Sequence, residues 1–423
     1  MTTDARHKTR SLLLVGTLHA FTHIYHVALM PLYLLIQRDF GFASVGRATL
    51  LVTVMMAANF LPSYPMGVLA DRVSRKKLLG FGLLINAIGF VALSFAPNFG
   101  CALASVLVAG FGGSFFHPAA TAMIARLFPV ATGKALGLVG VGASVGFFAG
   151  PLYAGWRATK LMSSVGDAAW RQPVLEFGVL GVIAAIVFFL LADDDKPIAV
   201  EQRVVALKVQ MFPTRALWVL FFAAAVSFSL RDFTGASMGS LGSLFLQKAR
   251  GYDAQSAGLA LSWIFLPSAI SNPLFGHLSD GGRKRWAAFV LLTAVILVVL
   301  FPHMPTHWTI PMFLIYGFFF MSSYPIVEAE LMQSVPDAVR GRVFGLFITV
   351  GGLIGNLSHW VVGEIVRRMG DTAHEPRSYF VLYAVLGSFI VLSLLGLPCL
   401  KAVRKREHIV DGAPHDLETL TTK

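Results

Sequence analysis

Three histidines, His19, His23 and His26, recur at i, i+4 and i+7 inside an otherwise apolar stretch. At about 100° per residue they fall within an arc of roughly 60°, so all three can face one side of a helix. Imidazole changes charge near neutral pH. The stripe can therefore carry protons, hold an anion when protonated, or ligate a soft-to-borderline metal when neutral. The plainer alternative is one hydrogen bond from each ring to a neighbouring helix. No metal site is assigned: the segment lacks His-Glu-x-x-His, and a fourth ligand would have to come from the distant His117 or His359. The remaining ionisable groups in apolar stretches are Arg231, Asp232, Glu328, Glu330 and Glu364. A carboxyl that is desolvated and rehydrated in turn takes up and releases a proton, which makes Asp232 or Glu328 the expected coupling site. Arg231 is expected to hold a substrate anion or act as counter-ion. Being adjacent, Arg231 and Asp232 point about 100° apart on a helix and do not make an ideal mutual pair, so one of them can face a cavity while the other bonds a neighbouring span. Glu330 and Glu364 stand closer to the ends of their stretches, where their heads would reach water.

The elements that must position these groups follow from composition. Of 423 residues, 56% are hydrophobic and 13% charged, about half the charge of a soluble domain. A membrane-spanning helix needs about 20 mostly apolar residues. Twelve such stretches occur, at 11–36, 45–70, 78–96, 100–127, 134–156, 173–192, 215–246, 254–279, 286–302, 308–335, 342–367 and 379–400. Continuous apolar runs exclude a β-barrel, whose strands alternate, and leave an all-α polytopic membrane protein. Ionisable groups inside such spans are expensive and mark a substrate or ion pathway by default. The basic start, Met1–Arg10, precedes a run too long for a signal peptide and without a cleavage pattern, so it reads as a retained first helix. Cys101 and Cys399 should lie at opposite faces and remain free.

Most of the 34 Lys and Arg fall on one side when sorted by loop, among them Arg72, Arg75, Lys76, Lys77, Arg283, Lys284 and Arg285. Basic loops stay cytoplasmic, so both termini are expected in the cytoplasm. This asymmetry, with attraction to anionic lipid, accounts for the net charge of +12; no nucleic-acid partner is implied. No phosphate loop of the Gly-x4-Gly-Lys-Ser/Thr type and no catalytic motif is present, so the chain reads as neither an ATP-driven pump nor an enzyme.

The long loop 193–214 divides the chain into halves, 1–192 and 215–423, each with six spans. A signature repeats at matching places: Gly67-x3-Asp71-Arg72-x2-Arg75-Lys76-Lys77 after span two, and Gly276-x3-Asp280-x2-Arg283-Lys284-Arg285 after span eight. Internal repeats of this kind build many secondary transporters. The first signature resembles motif A of the major facilitator superfamily, with Ser74 where that family usually has Gly. The resemblance implies that Gly67, Asp71, Arg72, Arg75, Asp280 and Arg283 form gating contacts on the cytoplasmic side. In span five, Gly137-x8-Gly146-x3-Gly150-Pro151-x3-Gly155 resembles the superfamily's antiporter motif, with Ala154 where a glycine is usual. This associates the chain with export in exchange for protons; a packing face of small residues is the structural alternative.

Span four carries Val106 where many drug antiporters have an arginine, and then Gly-Ser-Phe-Phe-His117-Pro118. That segment is similar to the fosmidomycin-resistance branch, as is Leu18-His19 with the later Pro31-Leu32 pair, although Thr22-His23 stands where the branch has Asn-Asp. Pro118 and Pro325 are expected to bend or break spans four and ten. In the superfamily, spans one, four, seven and ten line the central cavity, which is where His19, His23, His26, His117, Arg231, Asp232 and Glu328 fall. The resulting expectation is a monomeric secondary transporter without cofactor in the inner membrane, exporting a small organic solute against protons. Proton-symport uptake of an organic anion, or transport of a metal ion or complex through the histidine stripe, stands as the alternative. The histidines and Arg231 suit an anionic cargo, whereas Asp232 and Glu328 suit a cation.

Overall fold

The computed structural model describes residues 3–70, 72–128, 132–193, 210–279, 281–336 and 339–410. Asp71 and Asp280 lie outside them, as does most of the loop 193–214. Ten helical windows in the described residues are long and apolar enough to cross a membrane. One window, Lys134–Leu191, contains spans five and six, joined through a short turn. Span eight, which is not among these ten, runs as two helices, Ala254–Ser262 and Ser268–Ser279. The architecture is therefore the expected one of twelve spans.

Several helix starts carry a side-chain cap, which satisfies backbone N–H groups left over at a helix end. The Ser44 hydroxyl accepts from the Gly46 N–H at 3.0 Å, Asn98 from Cys101 at 2.9 Å, and Asp253 from Ser256 at 2.8 Å. Other spans are interrupted. Span one ends its long helix at Val27, turns through Met30–Leu32 around Pro31, and resumes as Tyr33–Asp39. Span four breaks between Gly113 and Phe116, one turn ahead of Pro118. Span ten is a continuous helix, Thr309–Gln333, that runs through Pro325, so of the two prolines only Pro118 stands beside a break.

Glycines set how closely the spans approach, since packing in lipid depends on small residues that let backbones meet. Within the first six spans, span five lies along span one: a Cβ on Gly142 would come within 2.0 Å of the Gly16 carbonyl oxygen, and one on Gly146 within 2.1 Å of that of Ala20. Between the first and last six spans, span five meets span eight in the same manner, Gly155 against Ala254 at 2.1 Å and Gly258 against Pro151 at 2.2 Å. Spans two and eleven meet through Thr53, whose hydroxyl donates to the Asn356 carbonyl at 3.1 Å and accepts from the Trp360 N–H at 3.0 Å. The outer surface is apolar, with Leu13, Leu190, Val219, Ile270 and Val381 each more than two-thirds exposed. That pattern suits lipid as the surrounding solvent.

Candidate functional site

The first six spans bring four histidines together. His19 and His23 come from the unbroken part of span one. His117 joins them because the break in span four lets Phe116–Leu127 start beside them. Ring centroids are 4.8 Å apart for His19 and His23, 5.4 Å for His19 and His117, and 5.7 Å for His23 and His117. His26 stands edge-on to His23 at 5.2 Å. His117 is thus no distant residue, contrary to the reading from sequence, because a helix break rather than helical spacing determines where it sits.

Hydrogen bonding fixes the protons in this cluster. His19 Nδ1 lies 2.9 Å from the Val139 carbonyl, an acceptor only, so Nδ1–H donates. A neutral His19 then has a bare Nε2, which accepts from His23 Nε2 at 3.0 Å. This leaves the Nδ1 lone pair on His23, where it is buried without a partner, as is His26 Nε2. Phe116 stacks on His19 at 4.7 Å, and Phe147 of span five covers His23 at 4.0 Å. Phe147 in turn stacks at 4.5 Å on Phe265 of span eight, beside a Ser144–Ser268 hydroxyl contact of 3.1 Å.

The last six spans hold a second cluster. Arg231, only 2% exposed, donates from Nε and Nη2 to Asp232 Oδ1 at 3.0 and 2.8 Å. The neighbours do pair, although their backbone directions diverge, because the guanidinium stem is long enough to fold back. The same guanidinium lies 4.0 Å from the Tyr324 ring, a cation–π contact that desolvation strengthens. Glu328, one turn further along span ten, is within electrostatic reach of both Arg231 and Asp232. Asp232 is accommodated by a glycine face on span eleven, since a Cβ on Gly351 would lie 2.7 Å from its Oδ2 and one on Gly355 2.8 Å from its own Cβ. Glu330 is 4% exposed rather than water-facing, and Glu364 is held by Arg367 and Arg368.

His359 belongs to neither cluster. Its Nδ1 is 2.6 Å from Ser240 Oγ, and that hydroxyl is 2.8 Å from the Tyr33 hydroxyl of span one. On the other side, Nε2 is 3.1 Å from Asn356 Oδ1. A neutral ring satisfies every partner when Tyr33 donates to Ser240, Ser240 to His359 Nδ1, and His359 Nε2–H to Asn356. The sequence reading missed Tyr33 and Ser240. The available signal was the run Ser237, Ser240, Ser243, three apart and all fully buried, which lines one helix face. Ser243 also donates to the Met30 carbonyl at 2.7 Å, in the turn that Pro31 opens.

Each set of six spans thus holds one buried polar cluster, the histidines in the first and Arg231, Asp232 and Glu328 in the last. The sequence matches the Major Facilitator Superfamily over residues 12–359. The chain belongs to that superfamily. It is 25% identical over 372 residues to the fosmidomycin resistance protein of Escherichia coli (strain K12), covering 86% of this chain and 88% of that protein. It is 23% identical over 340 residues to the multidrug resistance protein MdtH of Shigella dysenteriae serotype 1 (strain Sd197), with 78% and 79% covered. Among solved structures, a bacterial homolog to the human lysosomal transporter Spinster, in an inward-facing and unoccupied conformation, superposes with a TM-score of 0.71 at 18% identity over 96% of this chain and 98% of that one.

This major facilitator is a multi-pass membrane transporter and not an enzyme. Of its expected gating residues, Gly67 packs toward Pro118, with 3.8 Å from a built Cβ to the proline ring. Arg72 is exposed and Arg75 buried. Arg283 donates to Gln333 Oε1 at the end of span ten. In the antiporter-like motif, a Cβ built on Gly146 or Gly150 would meet the backbone of span one, the latter at 3.2 Å from the Ile24 carbonyl oxygen, while a Cβ on Gly258 would meet the Pro151 carbonyl oxygen at 2.2 Å. Nothing stands within 4 Å of a Cβ at Gly137, so that glycine answers to no close approach.

Proposed function

We propose that this transporter exports a small organic solute in exchange for protons, by rocking residues 1–192 against 215–423 about the linker 193–214. The observation that carries this reading is the buried Arg231–Asp232 pair with Glu328 beside it. A fixed cation flanked by two carboxyls gives one carboxyl a permanent partner and leaves the other free to exchange a proton for cargo. Glu328 is then the coupling group, Asp232 the partner that keeps Arg231 in place, and the histidine cluster the opposite wall of the cavity. The relatives named for fosmidomycin and multidrug resistance favour the outward direction. The bias of basic residues supports cytoplasmic termini in an inner membrane, and the protein acts as a monomer.

Reconstitution into proteoliposomes with an internal pH dye tests the proposal. Cargo flux should drive protons the opposite way, and Glu328→Gln should leave cargo exchange intact while removing its response to a pH gradient. Cargo and protons moving in the same direction would establish symport instead. Full coupling in Glu328→Gln would remove Glu328 from the role.

A further inference from the structure

His19, His23 and His117 each offer a ring nitrogen, and these atoms all lie within 4.8 Å of one another. We propose that they form a binding site for one divalent transition metal ion of borderline softness, such as Zn2+, between spans one and four. The donor set is right for that class: imidazole suits Zn2+, Ni2+ and Cu2+, whereas Mg2+ and Ca2+ require oxygen. The spacing is right as well. Nitrogens bound tetrahedrally at about 2.0–2.1 Å stand roughly 3.3 Å apart, and His19 Nε2 and His23 Nε2 are already at 3.0 Å. The separation to His117, within 4.8 Å, must shorten by ring rotation for the ion to bind.

The hydrogen bonding of the cluster points the same way. A metal-binding histidine characteristically donates its other ring N–H to a carbonyl or carboxylate, which fixes the tautomer and aims the free nitrogen. His19 does so through the Val139 carbonyl at 2.9 Å. His23 is 9% exposed, and its Nδ1 is buried with no partner, an unmet acceptor that costs free energy. Moving the His23 proton from Nε2 to Nδ1 frees both facing Nε2 atoms for an ion without net release of a proton, and the metal–nitrogen bonds must offset the Nδ1–H this leaves without an acceptor. Three neutral imidazoles leave a divalent charge uncompensated, so the fourth position takes hydroxide or another anion, as in sites with three histidines and an open position.

The test uses the purified full-length protein, with any affinity tag removed, titrated with Co2+ and then Zn2+. One equivalent of Co2+ should bind with the visible absorption of a four-coordinate ion and be displaced by Zn2+. His19→Ala and His117→Ala should each weaken binding by at least about tenfold, the lower end of what loss of a mere outer hydrogen-bond partner costs a metal site. His303→Ala, at an exposed loop, should not change it. The folded wild type failing to bind stoichiometric metal, or giving a six-coordinate Co2+ spectrum, would overturn the site even if the alanine variants do not fold. So would equal affinity in a triple alanine variant. Metal binding is read without flux, so its failure leaves the transport reading standing, and failure of proton coupling leaves the metal site standing.

Discussion

The hydroxyls of Tyr33 and Ser240 meet at 2.8 Å, joining the short helix Tyr33–Asp39 that ends span one to the middle of span seven. Both groups are fully buried, and the bond continues into His359. It therefore ties the first six spans to the last six in the conformation described. Tyr33→Phe removes the donor and should cost this conformation about 1 kcal/mol, or roughly a fivefold shift toward the alternative one. Spin labels on spans one and seven, at the end of the bundle away from His7, should report a larger separated population. An unchanged distance distribution would show that the hydroxyl contact has no part in holding the halves.

The glycines of span five separate by what they touch. Gly146→Ala places a methyl 2.1 Å from the Ala20 carbonyl oxygen, which is backbone and cannot rotate away. It should lower the thermal midpoint in detergent by the equivalent of about 1–3 kcal/mol of overpacking. Gly137→Ala meets nothing within 4 Å and should be neutral or gain up to about 1 kcal/mol of helix propensity. Equal effects at the two sites would contradict the packing described.

The Arg231–Asp232 pair predicts an unequal mutant cycle. Asp232→Asn strands a cation that is 2% exposed and should destabilise by about 3–5 kcal/mol. Adding Arg231→Met removes the stranded charge and should restore much of that loss. Chemical denaturation of the single and double variants measures the difference; additive losses would mean the pair is not coupled.

How much of this was legible in the sequence depends on whether the information is local. Span number and the histidine stripe follow from run length and helical rotation, both properties of a single segment. The approach of His117 depends on a break at Gly113–Phe116, and the Tyr33 contact on a turn at Pro31. Both place side chains through changes of axis that no periodicity records. How closely Arg231 and Asp232 pair was illegible for a different reason, since rotation per residue locates Cβ atoms and says nothing of where a long flexible stem can carry its charge.

At the membrane surface, Asp193 accepts from Arg10 at 2.8 Å and contacts His7 at 2.7 Å. Burial alone would raise its carboxyl, but the hydrogen bonds from Arg10 and His7 outweigh it and hold the group below its ordinary value. The stabilisation is thus present above the unfolded carboxylate pKa and lost as pH falls through the lowered folded one. Because the carboxylate side chain is 44% exposed, screening limits its contribution to at most about 1 kcal/mol. Asp193→Asn should lower the thermal midpoint slightly at neutral pH, and the gap should close in acid and in high salt. A gap that widened in acid would have the wrong sign.

At one end of their contact, spans five and eight approach through main-chain atoms, at Gly155 against Ala254 and at Gly258 against Pro151; further along they meet through side chains, Phe147 on Phe265 and Ser144 on Ser268. Interlocked side chains would act as gear teeth and resist any change of angle between the two helices. The smooth backbones at the glycine end act as a rolling bearing instead: there one helix can tilt on the other at a fixed distance, while the stacked Phe147 and Phe265 further along must slide or part. Adding even a methyl there would put a tooth on the bearing, and the fault would appear in the rate of turnover before it appeared in the affinity for cargo.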